Sequence, residues 1–538
     1  MRRHPFVFVA GCGLLVIVAG CADLYRLDDY STRDARQGED SPDLVGAGAP
    51  STATNGDVAG GLKPACTTNA DCAARNAGDI CVKAVGRCAA LATPECPRVH
   101  GDAKNDAAVI VGTLLDSELE RAASLALSEL NAREAGGGLP APASATTSGP
   151  RPLVILGCEP SLNVIRAARH LAHDLHVPAI IGPQLGEEVV EVTEQVSAEA
   201  GTLVVTPTAV ASPIASLADD DLTWRVIPSD AQRVALVAEQ TGELEEILRA
   251  TRGLTAVRFA VAHRNDALGQ SARDAIMGKV IVNGRFINDS ANARNVSVDG
   301  YAGPDDASAL EGIVSRYAGT FRPDLVYVTA PEQIDGLIVP LERALTAARA
   351  VYRPYYLITE AAKTDALLAA LGLADMPSDL RRRIRGVAST FDTASASIHE
   401  GFRSRYAAAF EGASPSSMSA AATYDATYAV AYAIAATPGA TPSGANVARG
   451  LRRLATGTAA SVGPAEAAAT MKLLGGGKSV ALRGANTLLK WDARGDIAAG
   501  TVEVWCIGAA TGAPAFGSSG MKMDVETQVV GGSFVQCQ

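Results

Sequence analysis

From about residue 102 onward, short runs of β-branched and apolar residues alternate with longer stretches whose apolar residues recur at helical spacing. The first short runs are Ala108–Gly112, Leu153–Leu156, Ala179–Gly182 and Leu203–Val205. The helical stretches between them include Leu119–Leu130, Val164–Leu175 and Val189–Val196. This alternation is typical of βαβ units, in which helices connect the strands of a parallel sheet. The sequence therefore predicts an α/β fold.

A second series of strand-like runs follows a connector near Pro228. Its members are Phe259–Ala262, Asp324–Val328 and Tyr355–Ile358. Two separate series predict two sheets, each covered by helices. Because open parallel sheets bind ligands at the carboxyl ends of their strands, the expected binding site is a cleft where the two sets of strand ends face each other.

Length and composition indicate a large folded protein. The chain has 538 residues, of which 48% are hydrophobic and 20% charged, and it can therefore build a sizeable core. Its formal net charge is -11, and it has no dense Lys/Arg cluster. A nucleic-acid partner is not expected, because the basic surface that such binding requires is missing.

The amino terminus has the pattern of a bacterial secretion signal. Basic residues precede an apolar run from Phe6 to Ala19, which is too short to span a bilayer. The run ends in Val18-Ala19-Gly20-Cys21, which resembles a lipobox and would make Cys21 the lipidated first residue of the mature chain. The alternative is an ordinary signal that contains a cysteine by chance. No later apolar stretch approaches the roughly 20 residues of a transmembrane helix.

Two short regions separate the signal peptide (1–20) from the α/β region. Residues 21–65 are rich in Gly, Ala, Ser, Thr, Asp and Pro, a composition that predicts a disordered tether. Residues 66–101 carry closely spaced cysteines with turn-forming residues between them, which predicts a small disulfide-rich module. The α/β region then occupies 102–538.

Ten cysteines are present, of which Cys12 leaves with the signal peptide and Cys21 would carry lipid. An even set of eight remains, and in an exported protein such a set indicates disulfides. The alternative of a zinc site lacks the paired Cys or Cys/His spacing that zinc requires. We therefore expect neither a metal nor a cofactor. The remaining eight are Cys66, Cys72, Cys81, Cys88, Cys96, Cys158, Cys506 and Cys537.

Seven motifs in the α/β region occur in an order that resembles the type I periplasmic binding proteins, and among them the leucine/isoleucine/valine-binding branch that serves ABC transporters. The resemblance runs from about Ala107 to about Val504. It implies two Rossmann-like lobes, one of about 103–232 plus 361–482 and the other of about 233–360 plus 483–538. The motifs are Ile181-Gly182-Pro183, Val205–Ala209, Trp224–Gln232, Asn265–Gln270, Pro323–Tyr327, Thr423–Ala426 and Trp491–Asp496.

The same resemblance implies a ligand site. In the amino-acid-binding members, hydroxyl and main-chain NH groups of the first lobe hold the ligand carboxylate, and an acidic side chain of the second lobe holds its ammonium. Glu360 falls where that acid is expected, and a charged hydrogen bond in a closed cleft is strong. Main-chain groups around Thr206, Thr208 and Ala209 are the expected contacts from the first lobe. The alternative is that Glu360 is a solvated charge at a strand end.

Several positions depart from the family pattern. Gly186 stands where the first-lobe Ser is expected, and Val210 replaces a Thr. Leu268 replaces an aromatic residue that would contact the ligand. The loop after the first strand is almost absent, because Leu114-Leu115-Asp116 leads straight into a helix at Ser117. The ligand contacts of the family therefore carry over to this chain less completely than its fold.

The eight cysteines are expected to form four disulfides. An interlocked four-cysteine knob pairs Cys66 with Cys81 and Cys72 with Cys88. In amino-acid-binding relatives the position of Cys158 is a half-cystine whose partner position is Leu185 here, so Cys158 needs another thiol, and Cys96 just before the first strand is expected to supply it. The remaining pair is Cys506 with Cys537.

Other motifs carry little functional signal. His170, His173 and His176 spread over about 120° of helix surface, so solvated histidines are favoured over a metal site. Gly475–Ser479 resembles the end of a phosphate-binding loop, but Lys472 stands where that loop needs Gly, which favours a surface loop. No nucleophile with an oriented base is recognisable, so we expect no enzymatic activity.

The leading functional hypothesis is capture of a small polar solute, amino-acid- or amide-like, between two lobes for an ABC transporter or sensor. The alternative is a non-transport envelope lipoprotein that uses the same fold to bind another protein or to regulate cell-wall synthesis. Both place the chain in the bacterial cell envelope, held by lipid and facing the periplasm or the surface. The residue after Cys21 is Ala22 and not the aspartate that retains lipoproteins at the inner membrane, which favours the outer membrane.

We predict that Cys21 carries a diacylglycerol group in the mature protein. Mass spectrometry of the N-terminal peptide should show the lipid adduct on Cys21, and a Cys21→Ser variant should lack it. A mature N-terminus that is unmodified or lies elsewhere would show that the signal is an ordinary one.

Overall fold

The computed structural model describes residues 66–141, 149–413, 415, 418–508 and 512–538. The predicted signal peptide, the lipidation site Cys21 and the predicted tether lie outside the described residues.

The described chain begins with a small Cys-rich module, a helix and a hairpin joined by two disulfides. Cys66 pairs with Cys81, and Cys72 pairs with Cys88. Both strands of the hairpin carry a half-cystine, since Cys81 lies directly opposite Cys88. The module contains α1 (Asn69–Ala73), β1 (Asp79–Val82) and β2 (Arg87–Ala90).

Two further disulfides complete the set. Cys96 pairs with Cys158, which ties the chain after the module to the first lobe, and Cys506 pairs with Cys537. All four pairs agree with the predicted ones, and their Cα separations of 3.8 to 5.8 Å are within the reach of a disulfide.

The first lobe is built on a six-stranded sheet of order β3-β5-β4-β6-β7-β8, in which β3 is antiparallel and the other strands are parallel. Because β3 pairs with β5, residues 98–100 belong to this lobe and not to the Cys-rich module, whose predicted range of 66–101 was too long. The elements are β3 (Arg98–His100), β4 (Val109–Leu114), α2 (Ser117–Asn131), β5 (Leu153–Cys158), α3 (Pro160–Arg169), β6 (Ala179–Ile181), α4 (Gly186–Val192), α5 (Ala198–Ala200), β7 (Leu203–Thr206) and β8 (Thr223–Arg225).

The chain then crosses into the second lobe through a long helix whose N-cap is Ser229. The elements of this passage are α6 (Asp230–Arg252), β9 (Phe259–Arg264), α7 (Ala267–Met277), β10 (Ile281–Val282), β11 (Arg285–Phe286), β12 (Val296–Tyr301), α8 (Ala307–Gly319), β13 (Leu325–Val328), α9 (Val339–Ala347), β14 (Tyr355–Thr359), α10 (Asp365–Leu371), α11 (Leu380–Arg383) and β15 (Ile384–Thr390).

Each lobe is completed by a later part of the chain. The first lobe receives a helical passage and a small parallel sheet, and the second lobe receives the three C-terminal strands. The elements are α12 (Ala396–Ala409), α13 (Met418–Ala435), α14 (Gly444–Arg452), β16 (Thr458–Ser461), α15 (Pro464–Gly475), β17 (Val480–Arg483), β18 (Thr501–Ile507), β19 (Phe516–Asp524) and β20 (Val530–Gly531).

The second sheet has eight strands in the order β12-β9-β13-β14-β15-β18-β19-β20, and this order corrects the predicted lobe boundaries. β15 pairs with β14 and β18, so the second lobe extends to Thr390 and does not end at residue 360. The chain leaves the first lobe for the last time after the predicted residue 482, because Trp491 and Ile497 still pack in the first-lobe core. The last crossing therefore precedes β18.

A buried carboxylate fixes β3 to the first helix of the lobe. Glu120 is 3% exposed, and its two oxygens accept hydrogen bonds from Arg98 at 2.7 and 2.6 Å and from His100 at 2.7 Å. Gly157 lies beneath this carboxylate, and a Cβ at that position would approach the Glu120 Oε1 to 2.3 Å. A glycine is therefore required opposite the buried charge.

We predict that Gly157→Ala lowers the free energy of unfolding by about 2 kcal/mol, because the added methyl group displaces Glu120 from its cationic partners in a packed core. Urea unfolding measures the change. Gly312→Ala is the matched control, since nothing lies within 4 Å of that Cβ on α8, and it should stabilise by about 0.5–1 kcal/mol. Equal effects of the two substitutions would contradict this role of Gly157.

Candidate functional site

The cleft between the lobes is formed by the carboxyl ends of the parallel strands. On the first lobe the loop after β7 and the start of α4 face it, and on the second lobe the ends of β9, β14 and β15 do. Ion pairs and hydrogen bonds cross from one lobe to the other here. This is the site that the strand series predicts.

Glu360 follows β14 and lies at the cleft wall, but its carboxylate already has a cationic partner. The Arg233 Nη2 lies 2.6 Å from the Glu360 Oε2, and the main-chain NH of Ser389 donates to the same oxygen at 3.1 Å. Arg233 is 4% exposed and also donates to the Ser389 hydroxyl at 2.9 Å. The chain itself therefore supplies the positive charge that a ligand ammonium would have brought.

Arg233 was missed at the sequence level, although its position carries a signal. It lies in the first turn of α6, where the helix dipole disfavours a cation. An arginine at such a place requires an acidic partner nearby. The neighbouring Asp230 lies 4.0 Å from the Arg233 Nη1, and Glu360 is the closer partner.

Asp230 links both lobes at the crossover. Its main-chain NH donates to the Val210 carbonyl of the first lobe at 2.9 Å, and its carboxylate accepts a hydrogen bond from the Ser271 hydroxyl of the second lobe at 3.0 Å. Burial raises the pKa of Asp230 to about 6, although Arg233 acts in the opposite direction. The Asp230 side chain is therefore buried and held in place at the crossover between the lobes.

The first-lobe residues expected to contact a ligand are hydrogen-bonded within the first lobe, largely to the loop that follows β6. The Thr206 hydroxyl donates to the Pro183 carbonyl at 2.7 Å and accepts from the Ala209 NH at 3.1 Å. The Thr208 hydroxyl donates to the Gln184 carbonyl at 2.7 Å. Thr206 and Ala209 are both buried. These groups shape the cleft wall, and their hydrogen-bonding capacity is largely used.

The remaining two predicted positions lie at the contact between the lobes. Gly186 begins α4, and a Cβ there would lie 2.7 Å from the Ala211 Cβ, so the loop can approach the helix only because Gly186 has no side chain. Leu268 lies on α7 of the second lobe and packs against the core of the first lobe.

Polar contacts across the cleft are few. The Arg264 Nη2 at the end of β9 lies 3.2 Å from the Glu187 Oε1 on α4, and the Ser212 NH donates to the Ser271 hydroxyl at 2.8 Å. Together with Leu268, these contacts hold the lobes against each other.

The enclosed space at the cleft wall is small. A cavity lined by Asp230, Arg233, Tyr327, Glu360 and Val387, among others, holds about 10 Å³, which is room for about one water molecule. All of its lining residues belong to the second lobe, and the cavity itself is too small for a solute of amino-acid size.

Solved structures with the same architecture are two-lobed substrate-binding proteins. The branched-chain amino acid transporter substrate binding protein LivJ of Streptococcus pneumoniae, in complex with isoleucine, is 13% identical with a TM-score of 0.52 and matches 76% of this chain and 99% of its own. A substrate-binding protein of Desulfitobacterium hafniense in complex with Leu is 16% identical with a TM-score of 0.50 and the same coverage.

A solute binding protein of Rhodopseudomonas palustris BisB5, in complex with 3,4-dihydroxy benzoic acid, is 14% identical with a TM-score of 0.50 over 78% of this chain and 98% of its own. No protein-family model and no curated protein matches the chain. The chain has the type I periplasmic binding protein fold.

In this type I fold, the Arg233–Glu360 pair is a property of the second lobe alone. Arg233 belongs to α6, which packs in the second-lobe core, while Glu360 follows β14 and Ser389 lies in β15 of the second sheet. Movement of the lobes apart would therefore leave the pair intact. The acid at this position stays paired whether the cleft is open or closed.

We predict that Glu360→Gln lowers the free energy of unfolding by about 1.5–3 kcal/mol, because the buried Arg233 loses the charged acceptor of its hydrogen bond. The matched control is Glu311→Gln on the exposed side of α8, which should change stability by at most about 0.5 kcal/mol. Denaturant unfolding compares the two variants. A change at Glu360 as small as that at Glu311 would show that the ion pair is not formed.

Proposed function

We propose that the protein is an exported binding protein that holds a small polar solute, amino-acid- or amide-like, between its two lobes and presents it to an ABC permease or a sensor. The observation that carries the proposal is the meeting of polar groups from both lobes at the carboxyl ends of the parallel strands, where sheets of this kind bind ligands. Ser212 of the first lobe donates to Ser271 of the second, and Glu187 of the first lobe pairs with Arg264 of the second. It is a binding function without catalysis.

The polarity of the cleft wall favours a solute with an acceptor oxygen. Within the described part of the chain, the Arg233 Nε is buried and has no hydrogen-bond partner. A buried donor without an acceptor costs free energy, which a carboxylate or amide oxygen of the solute would recover. Recognition would thus depend on Arg233, with Glu360 holding its guanidinium in place.

Uptake of the solute requires the lobes to part. The contacts to be released are the Arg264–Glu187 pair, the Ser212–Ser271 hydrogen bond and the packing of Leu268. The ion pair is partly buried, since the Arg264 side chain is 12% exposed and the Glu187 side chain 35%. Hinged closure of this kind expels water from a bound solute and strengthens its polar contacts.

Attachment to the cell envelope by lipid at Cys21 is part of the proposal. It is supported by the Val18-Ala19-Gly20-Cys21 box behind a short apolar run, and Ala22 favours the outer membrane, with the body facing the periplasm or the surface. No helix within the described ranges is long and apolar enough to cross a membrane.

A second candidate function is interaction with another envelope protein, as in regulation of cell-wall synthesis. The hydrogen bonds of the first-lobe wall favour it, since the hydroxyls of Thr206 and Thr208 already donate to main-chain carbonyls. The connection between β4 and α2 also favours it, because it consists of Leu115 and Asp116 alone and is too short to extend far into the cleft.

We predict that at least one solute of a library of amino acids, amides and aromatic acids raises the melting temperature of the full chain. A solute that binds only the native state stabilises it by about 2.7 kcal/mol at a hundred times its Kd. The shift should vanish in Arg233→Met and persist in Arg294→Met, an exposed arginine elsewhere on the second lobe. The absence of any shift in the unsubstituted protein would contradict solute capture and favour the second candidate.

A further inference from the structure

A larger cavity lies on the opposite edge of the first-lobe sheet, beneath the Cys-rich module. Its volume is about 350 Å³. The residues from the lobe that line it precede or begin strands, at Ala107–Ile110 for β4 and at Leu175–Pro178 before β6. The cavity is therefore at the amino ends of these strands, whereas the cleft is at their carboxyl ends. The two sites are distinct.

The module forms the roof of this cavity and is fixed on both sides. The Asn69 NH donates to the Asp106 carboxylate at 2.6 Å, and the Lys83 ammonium donates to the Asp106 carbonyl. On the other side, Arg87 donates to the His173 carbonyl at 2.9 Å. The Cys96–Cys158 disulfide holds the chain that follows the module. These contacts hold the module in a fixed position above the cavity.

Most of the lining is apolar. Ile80 and Val82 of the module face the cavity together with Val109, Leu175 and Val177 of the lobe. All five side chains are buried, with 3 to 8% of their surface exposed. Such a lining suits the hydrocarbon part of an organic molecule.

Arg151 is the buried charged residue of the lining, whereas Lys83 and Asp106, which also line the cavity, are exposed. Arg151 is 9% exposed and lines the cavity, and its Nε donates to the Pro140 carbonyl at 3.0 Å. In the described ranges no carboxylate lies within ion-pair distance of it, and burial lowers its pKa without a compensating acid. A buried guanidinium is normally paired, since burial of an isolated charge is costly.

We propose that this cavity binds a small organic carboxylate, whose acid group pairs with Arg151 and whose hydrocarbon part lies on Val82, Val109 and Val177. A guanidinium accepts a carboxylate through two parallel hydrogen bonds, which fixes both the charge and the orientation of the ligand. The volume is that of a small-molecule pocket, roughly 300–1,000 Å³. The Cys-rich module then forms one wall of a second ligand site.

The experiment is a calorimetric titration of the full chain with 1-naphthoate and, as the uncharged counterpart, 1-naphthamide. Naphthoate should bind the unsubstituted protein and Arg133→Gln, an exposed arginine near the same lobe end. Its affinity should fall about tenfold or more in Arg151→Gln, and naphthamide should bind about tenfold or more weakly to the unsubstituted protein, since a charged hydrogen bond is lost in each case.

Two further variants separate this site from the cleft and from misfolding. Ala108→Trp fills the cavity without a change of charge and should also abolish binding, with the melting temperature as the check on folding. Arg233→Met alters only the cleft and should leave naphthoate binding unchanged. Undiminished binding in Arg151→Gln, equal affinity for naphthamide, or no binding to the unsubstituted protein would overturn the proposal. Loss in Arg233→Met alone would place naphthoate in the cleft.

Discussion

The ion pair between Arg233 and Glu360 determines what the cleft can do. Parallel strands of both lobes end at this cleft, so polar groups that meet there need partners when water is excluded. Arg233 satisfies Glu360 within the second lobe, and Ser389 completes the arrangement. Glu360 is consequently half of a neutral pair with donor capacity on the guanidinium, rather than a free carboxylate.

Much of the fold follows from local sequence patterns, and the exceptions are elements whose partners are distant in the chain. The alternation of apolar runs with helical stretches predicts both lobes, and all four predicted disulfides are present. The two pairs of the knob were predicted from cysteine spacing, Cys96–Cys158 from the position of Cys158 in the family, and Cys506–Cys537 as the remaining pair. β15 was assigned to the wrong lobe because its place depends on pairing with β14 and with β18, which lies far along the chain. β3 has three residues, too few for any alternation.

The position of the cleft was predictable from the sequence, but the ion-pair and hydrogen-bond partners of its side chains were not. The end of β14 places Glu360 at the cleft, as the family pattern implies, but a sequence does not reveal which cation lies beside a carboxylate. The hydroxyls of Thr206 and Thr208 donate to the main-chain carbonyls of Pro183 and Gln184 in the loop after β6, and residue identity does not reveal such distant partners. Arg151 likewise looks like an ordinary surface arginine until the module is packed above it.

The Arg233 guanidinium lies beside Glu360, where a ligand cation would otherwise pair with the carboxylate. Chemical rescue tests this arrangement directly, because Arg233→Ala leaves a space of guanidinium shape against the carboxylate. Millimolar ethylguanidinium should raise the melting temperature of Arg233→Ala and leave that of the unsubstituted protein and of Arg233→Ala/Glu360→Gln unchanged. No rise in Arg233→Ala, or an equal rise in all three proteins, would contradict it.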